Sequence, residues 1–257
     1  MSRIAARFAE LRSEGRGALV TFVTAGDPEL NSLPSVLAML VQAGADVVEV
    51  GIPFSDPIAD GPTIQASSQR ALDRGMNARL ALEQIAAYRL QDQSTPIVLM
   101  GYMNTILRLG FEQFANEAAG AGVDGTIVCD LTPEEAGEWI EASRTHGLDN
   151  IFLVAPTSTD ERIALAAKAS TGFVYAVSRT GVTGGNAELS SPEALVSRVK
   201  SSTQVPVCVG FGISNRPGVE TAHQYADGAI VGSAIVECMH RQGIEETKAL
   251  VRSLAGG

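Results

Sequence analysis

Histidine and cysteine are scarce in this 257-residue sequence, with three of each, and tryptophan occurs once. Cys129, Cys208 and Cys238 are odd in number, far apart and set in apolar sequence. That usage excludes a disulfide framework and predicts reduced core residues in a cytoplasmic protein. His146, His223 and His240 all fall in helical patterns away from the ends of strands, so neither a histidine metal site nor a Cys–His pair is convenient. Positive charge is also short: Lys+Arg 19 against Asp+Glu 29 leaves a net charge of −10. With no basic stripe, a nucleic-acid or anionic-membrane surface is excluded, although a local phosphate site lined by amides stays open. No apolar run approaches the ~18 residues of a membrane span. The opening MSRIAARFAELRSEGR mixes Arg and Glu on an amphipathic pattern and has no secretory apolar core, which predicts an extra N-terminal helix. Linkers, low-complexity tracts, a Gly-x-Ser-x-Gly elbow and a Walker loop are all missing.

What the sequence does have is alternation. Short apolar, β-branched runs occur at 18–24, 46–51, 96–102, 125–130, 151–156, 173–178, 205–212 and 228–232. Each is too short for a helix and nearly apolar throughout, as in a parallel sheet covered on both faces. Amphipathic stretches lie between them. Thr132-Pro133, Ser158-x-x-Glu161 and Ser191-Pro192 read as helix starts, and Gly44 and Gly122 as helix C-terminal glycines. Eight strands alternating with helices in this length predict an α/β fold, a single (β/α)8 TIM barrel spanning 1–257 as one domain. A doubly wound sheet is the alternative, but Gly210-Phe211-Gly212 is a lone G-x-G with Asn215 where a third glycine should fall.

Barrel enzymes place their chemistry at the C-terminal ends of the strands, and three groups of residues fall there. Glu49 interrupts the run VVEVG, with Val48 and Val50 on the opposite face. If the valines face the helices, Glu49 points into the barrel, where burial raises a carboxyl toward a general acid/base. The bland alternative is a buried Glu bonded to backbone or Tyr. The loop 51-GIPFSDPIADGPT-63 follows at once and carries Asp56 and Asp60. Either could merely cap a turn; a second carboxylate near Glu49 would also suit an N–H acceptor. The third group is glycine-rich: 178-SRTGVTGG-185, 210-GFGIS-214 and 232-GSA-234 after strands six, seven and eight. Such loops bind phosphate through backbone N–H groups, with Ser233 adding a hydroxyl, although any barrel also needs tight turns. Arg179 and Thr183 fit a closing lid. Phe22, Met100, Tyr102, Ile127, Leu153, Tyr175 and Phe211 would line a flat apolar pocket or simply be core. The strand candidates contain no lysine, which disfavours Schiff-base chemistry. The expectation is acid–base chemistry on a phosphorylated small molecule without metal or organic cofactor.

The strings VEVGIPFSDPIADGPTIQ (48–65), TFVTAGDP (21–28), VLMGYMN (98–104), SRTGVTGG (178–185), VGFGIS (209–214) and DGAIVGSAIV (227–236) closely resemble the tryptophan synthase alpha chain family, in its order and spacing. The resemblance implies a lyase of tryptophan biosynthesis that cleaves indole-3-glycerol phosphate by retro-aldol reaction to indole and glyceraldehyde 3-phosphate. It makes Glu49 the general acid/base and Asp60 the partner of the indole N–H. Gly184, Gly212, Gly232 and Ser233 would bind phosphate, and Thr183 would sit in the closing loop. Phe22, Tyr102, Ile127 and Tyr175 would surround the substrate. It also implies a pyridoxal-phosphate beta chain as partner in an α2β2 (αββα) assembly, contacted through loops 53–60 and roughly 103–109. Thr105 stands where many members have Pro, and Cys129-Asp130-Leu131-Thr132-Pro133 replaces a more proline-rich pattern. An indole-glycerol-phosphate synthase would want a strand lysine, and a sugar-phosphate epimerase metal-linked strand-end residues. A ligand-binding activator of the beta chain with little turnover is a further alternative, which intact Glu49, Asp60 and Thr183 oppose.

Overall fold

Strand β1 (Ala18–Thr24) lies at the centre of a nine-stranded, all-parallel sheet in the order β5-β4-β3-β2-β1-β9-β8-β7-β6. The structure is a computed structural model, and it describes residues 2–177, 191–210 and 212–257. The chain runs α1 (Arg3–Glu14), β1, α2 (Leu33–Gln42), β2 (Val47–Gly51), α3 (Pro62–Asp73), α4 (Ala78–Arg89) and β3 (Ile97–Gly101). It continues through α5 (Met103–Leu107), α6 (Phe111–Gly120), β4 (Gly125–Val128), α7 (Gly137–Thr145), β5 (Asp149–Asn150) and β6 (Leu153–Val154). Next come α8 (Asp160–Ala169), β7 (Val174–Val177), α9 (Pro192–Lys200), β8 (Val207–Gly210) and α10 (Arg216–His223). Last are β9 (Gly228–Val231), α11 (Ser233–Gln242) and α12 (Ile244–Ala255).

The run expected as one strand at 151–156 is two short ones, β5 paired with β4 and β6 paired with β7. The link between them completes the ring. Ile151 N donates to Thr126 O and Tyr175 N to Phe152 O, each at 3.0 Å. The sheet thus closes as a TIM barrel of eight staves, one of them split.

Alternation sorts every stave. Val48, Val50, Leu99 and Val209 pack outward into the large core under the helices, whereas Val20, Val47, Val98, Ile127 and Cys208 fill the interior. Helix α1 plugs the lower end. Ile4, Phe8 and Leu11 recur at helical spacing, join the interior cluster, and set Phe8 against Phe173 with ring centroids 6.0 Å apart. Arg3 reaches Asp124 at 2.8 Å and Arg7 reaches Asp46 at 2.6 Å, tethering the plug to buried carboxylates at the strand starts. Solvent therefore meets the interior from the upper, C-terminal end.

Several local expectations shift. Ser191 caps α9, accepting from Ala194 N, and Gly44 and Gly122 take positive φ of 109° and 87° after their helices. Thr132, by contrast, starts no helix: residues 132–136 form a turn, with Glu135 N donating to Thr132 O, and α7 begins at Gly137. The cap of α8 is Thr159, while the Ser158 hydroxyl accepts from Ala155 N instead. The segment expected as a loop at 103–109 holds the short helix α5. Only Cys208 is a core residue; Cys129 and Cys238 are partly exposed. Among the described residues no helix is long and apolar enough to cross a membrane.

Candidate active site

Glu49 lies in the middle of β2, in register with Phe22 on β1 and Val98 on β3. Its flanking valines face the helices, so its carboxyl enters the barrel as alternation predicts. The residue is fully buried, and both carboxyl oxygens lack a hydrogen-bond partner among the described residues. Burial alone drives its pKa from 4.5 up to about 8. The bland alternative, a Glu bonded to backbone or to Tyr, does not hold here: the group is a neutral acid at pH 7 with a proton it shares with no described residue.

Above it opens a cavity of about 430 Å³. Glu49, Phe22, Met100, Tyr175, Asp60, Gly212, Gly232 and Ser233 all line it. The strands explain the apolar side. Phe22, Met100 and Tyr175 point inward from β1, β3 and β7, and glycines make room for the two aromatic rings. A Cβ on Gly51 would lie 2.5 Å from Phe22 Cζ, and one on Gly210 would lie 2.4 Å from Tyr175 Oη. Phe22 with Ile64 and Val236 forms a small apolar cluster against Met100 at the mouth.

Asp60 closes the loop after β2 and immediately precedes the Gly61-Pro62 start of α3. It is half-buried, and burial raises its pKa while the Tyr102 hydroxyl, donating to Oδ2 at 3.0 Å, pulls it back. The same hydroxyl accepts from Ala59 N at 3.0 Å, and the Tyr102 ring stacks on Phe54. Tyr102 thus does not form cavity wall as expected; it holds the carboxylate that does. Asp56 is exposed and lies off the cavity.

The opposite side of the cavity is backbone. Gly212, with φ at +79°, leads into Ile213 and Ser214, and Gly232, Ser233 and Ala234 begin α11. Ile235 N and Val236 N both bond Gly232 O, so the first-turn amides of Ser233 and Ala234 have no intrahelical acceptor, and both residues line the cavity. Such a cradle at the positive end of a helix dipole suits an anion. Glu49 and this cradle therefore mark two ends of one site, with an apolar slot between them.

Other expected residues fall elsewhere. Ile127 and Leu153 belong to the barrel interior and do not line the cavity. Arg179, Thr183, Gly184 and Phe211 lie outside the described residues. Sequence reasoning missed Ile64, Ile230, Thr63 and Glu237, all of which line the cavity. Alternation within GAIV could have found Ile230, since Ala229 and Val231 face outward. For Thr63, Ile64 and Glu237 the signal is tertiary: they sit on α3 and α11, which meet over the mouth.

A protein-family model described as "Tryptophan synthase alpha chain" matches residues 8–255. Curated relatives of that same description include one from Burkholderia ambifaria, 46% identical over 254 residues (98% of this chain and 94% of that protein). Another, from Geobacter sulfurreducens, is 50% identical over 242 residues (94% and 91%). Among solved structures, a Mycobacterium tuberculosis tryptophan synthase superposes with a TM-score of 0.91 at 42% identity, covering 99% of this chain and 97% of that one. Tryptophan synthase subunit alpha from Legionella pneumophila gives 0.89 at 35% identity, covering 99% and 97%.

Proposed function

The chain belongs to the tryptophan synthase alpha chain family, and on that basis we propose how it performs the family's reaction, the cleavage of indole-3-glycerol phosphate to indole and glyceraldehyde 3-phosphate. The observation that carries the proposal is Glu49: a fully buried carboxyl, unpartnered among the described residues, whose pKa of about 8 keeps it protonated at neutral pH.

The substrate has three chemically distinct parts, and the cavity offers a partner for each. The phosphate suits the amides of Ser233 and Ala234, the Ser233 hydroxyl and the Gly212 turn. The indole ring suits the slot walled by Phe22, Met100 and Tyr175. Its N–H suits the Asp60 carboxylate, which Tyr102 keeps turned toward the cavity. Glu49 delivers its proton to indole C3, which makes that carbon tetrahedral and leaves positive charge on the ring nitrogen. Asp60, accepting the N–H, stabilises that charge. The Glu49 carboxylate, now ionised in an apolar site, takes the proton of the adjacent glycerol hydroxyl. The C3–carbon bond then breaks, its electron pair returns to the ring, and the aldehyde forms. Glu49 ends protonated, so one residue acts as acid and then as base. Proton transfer of this kind contributes about 10²–10⁴-fold, and positioning by both ends of the substrate supplies the remainder. Thr183 and Gly184, by family resemblance, belong to the loop that closes over the bound substrate.

Each of these steps uses this chain's own side chains, and the pyridoxal phosphate of the family's complex is assigned to a beta chain. We propose that partner in an α2β2 assembly, with one domain per alpha chain, in the cytoplasm. Exposed Ile58 and Leu107, 84% and 54% accessible on the two segments implicated by resemblance, suit burial against it. The test is to incubate the chain with indole-3-glycerol phosphate, alone and with a beta chain. Equal amounts of indole and glyceraldehyde 3-phosphate are expected, released faster with the partner. No indole from any mixture, despite binding of a glycerol-phosphate analogue, would refute the assigned reaction.

A further inference from the structure

We infer that Asp27, on the loop after β1, is a positioning residue for Asp60, acting through Arg70. The inference rests on the role for Asp60 proposed above.

Asp60 is joined directly to a rod. Gly61 and Pro62 follow it, and α3 then runs to Asp73. The loop on its other side is exposed at Ser55, Asp56, Ile58 and Ala59, and there the Tyr102 hydroxyl bonds Ala59 N and the Asp60 carboxylate, which leaves the start of α3 as the second anchor. The stance of α3 therefore sets where the Asp60 carboxylate can reach. Three residues on one face of α3, at helical spacing, fasten it to the end of β1. Ser67 Oγ donates to Ile64 O at 2.8 Å, so the Thr24 hydroxyl, 2.7 Å away, donates to Ser67. One turn further, Arg70 forms a two-pronged pair with Asp27: Nε to Oδ1 at 2.9 Å and Nη2 to Oδ2 at 2.6 Å. Arg74 adds Nη1 to Asp27 Oδ1 at 3.3 Å and to Gly26 O at 3.4 Å.

Asp27 is only 7% exposed, yet neither it nor Arg70 lines the cavity. A partly buried fork of this kind contributes orientation more than net stability. What it orients is specific. β1 carries Phe22 and pairs with β2 beside Glu49, while α3 carries Ile64 and begins beside Asp60. The Asp27–Arg70 pair thus couples the strand pair holding the acid to the helix holding the N–H acceptor. Loosening it lets α3 tilt and carries Asp60 away from the ring while the phosphate cradle on α11 stays in place.

The experiment is a double-mutant cycle on kcat in the complex with the beta chain. It is read beside affinity for glyceraldehyde 3-phosphate and for an indolyl glycerol-phosphate analogue. Asp27→Asn and Arg70→Lys, the latter keeping charge but losing the fork, should each lower kcat about tenfold to a hundredfold. Affinity for the indolyl ligand should fall with it, and affinity for glyceraldehyde 3-phosphate should change less than about twofold. In an Asp60→Asn background, Asp27→Asn should lower kcat by less than about twofold, because the group it positions is already gone. Equal losses in both backgrounds, or wild-type kcat in a folded Arg70→Lys chain, would overturn the inference. If Asp60→Asn alone kept the wild-type rate, the proposed role of Asp60 would fail, and the inference with it.

Discussion

Replacing Glu49 by Gln should make the protein more stable, and increasingly so as pH rises. The side chain is fully buried without a partner among the described residues, and its pKa stands at about 8 in the fold against 4.5 for an exposed carboxyl. Between those values the folded chain retains a proton that the unfolded chain has released, so stability falls with rising pH. Gln has nearly the shape of protonated Glu and no proton to lose. One proton retained on folding costs about 1.4 kcal/mol for each step of one in pH, so the stability advantage of Glu49→Gln over wild type grows by about 3.5 kcal/mol between pH 5 and pH 8. Urea unfolding of both proteins at each pH reads this directly, because every other titrating group is shared and cancels in the difference. Parallel stability curves, with a constant gap from pH 5 to pH 8, would refute the claim that Glu49 is held protonated by burial.

Three further outcomes follow from the same geometry. Asp60→Asn removes the charge proposed to face the indole nitrogen, so cleavage should fall about 10²–10³-fold with little change in glyceraldehyde 3-phosphate affinity; a large loss of that affinity would make Asp60 structural. Tyr102→Phe deletes the hydroxyl that donates to Asp60 Oδ2 and holds its pKa down. The acidic limb of the pH–rate profile should therefore move to higher pH, and an unmoved limb would contradict the link. Gly210→Ala puts a methyl 2.4 Å from Tyr175 Oη in a packed wall. It should cost about 1–3 kcal/mol in unfolding experiments and raise KM by displacing the ring, whereas a neutral substitution would mean the wall yields freely.

Much of the barrel is legible in the sequence because burial on two faces writes itself as short apolar runs, and one polar residue in such a run stands out. Glu49 between Val48 and Val50 is that case: period-two alternation alone gives its direction. The glycines at 212 and 232 are legible as strand-end glycines, and both line the cavity. Helix starts are less so. Thr132 and Ser158 have the right chemistry for caps, but the chain turns before the first helix forms and caps the second one residue later. Tyr102 reads as pocket wall because it ends a strand, yet its hydroxyl is spent on Asp60 and Ala59. That role depends on where the loop between β2 and α3 folds back, which no local pattern states. The tie from Asp27 to Arg70 spans 43 positions and links a loop to a helix, so it too exists only in three dimensions.

The mechanism proposed here depends above all on the buried proton of Glu49, and single-turnover release of indole tests that dependence most directly. Wild type and Glu49→Gln are each mixed with indole-3-glycerol phosphate and the beta chain, alongside binding of a non-cleavable glycerol-phosphate analogue. Indole is expected from wild type and none measurable from the variant, with analogue affinities that agree within about twofold, since only the transferable proton is lost. Indole released by Glu49→Gln at the wild-type rate would contradict the assignment of Glu49 as the acid.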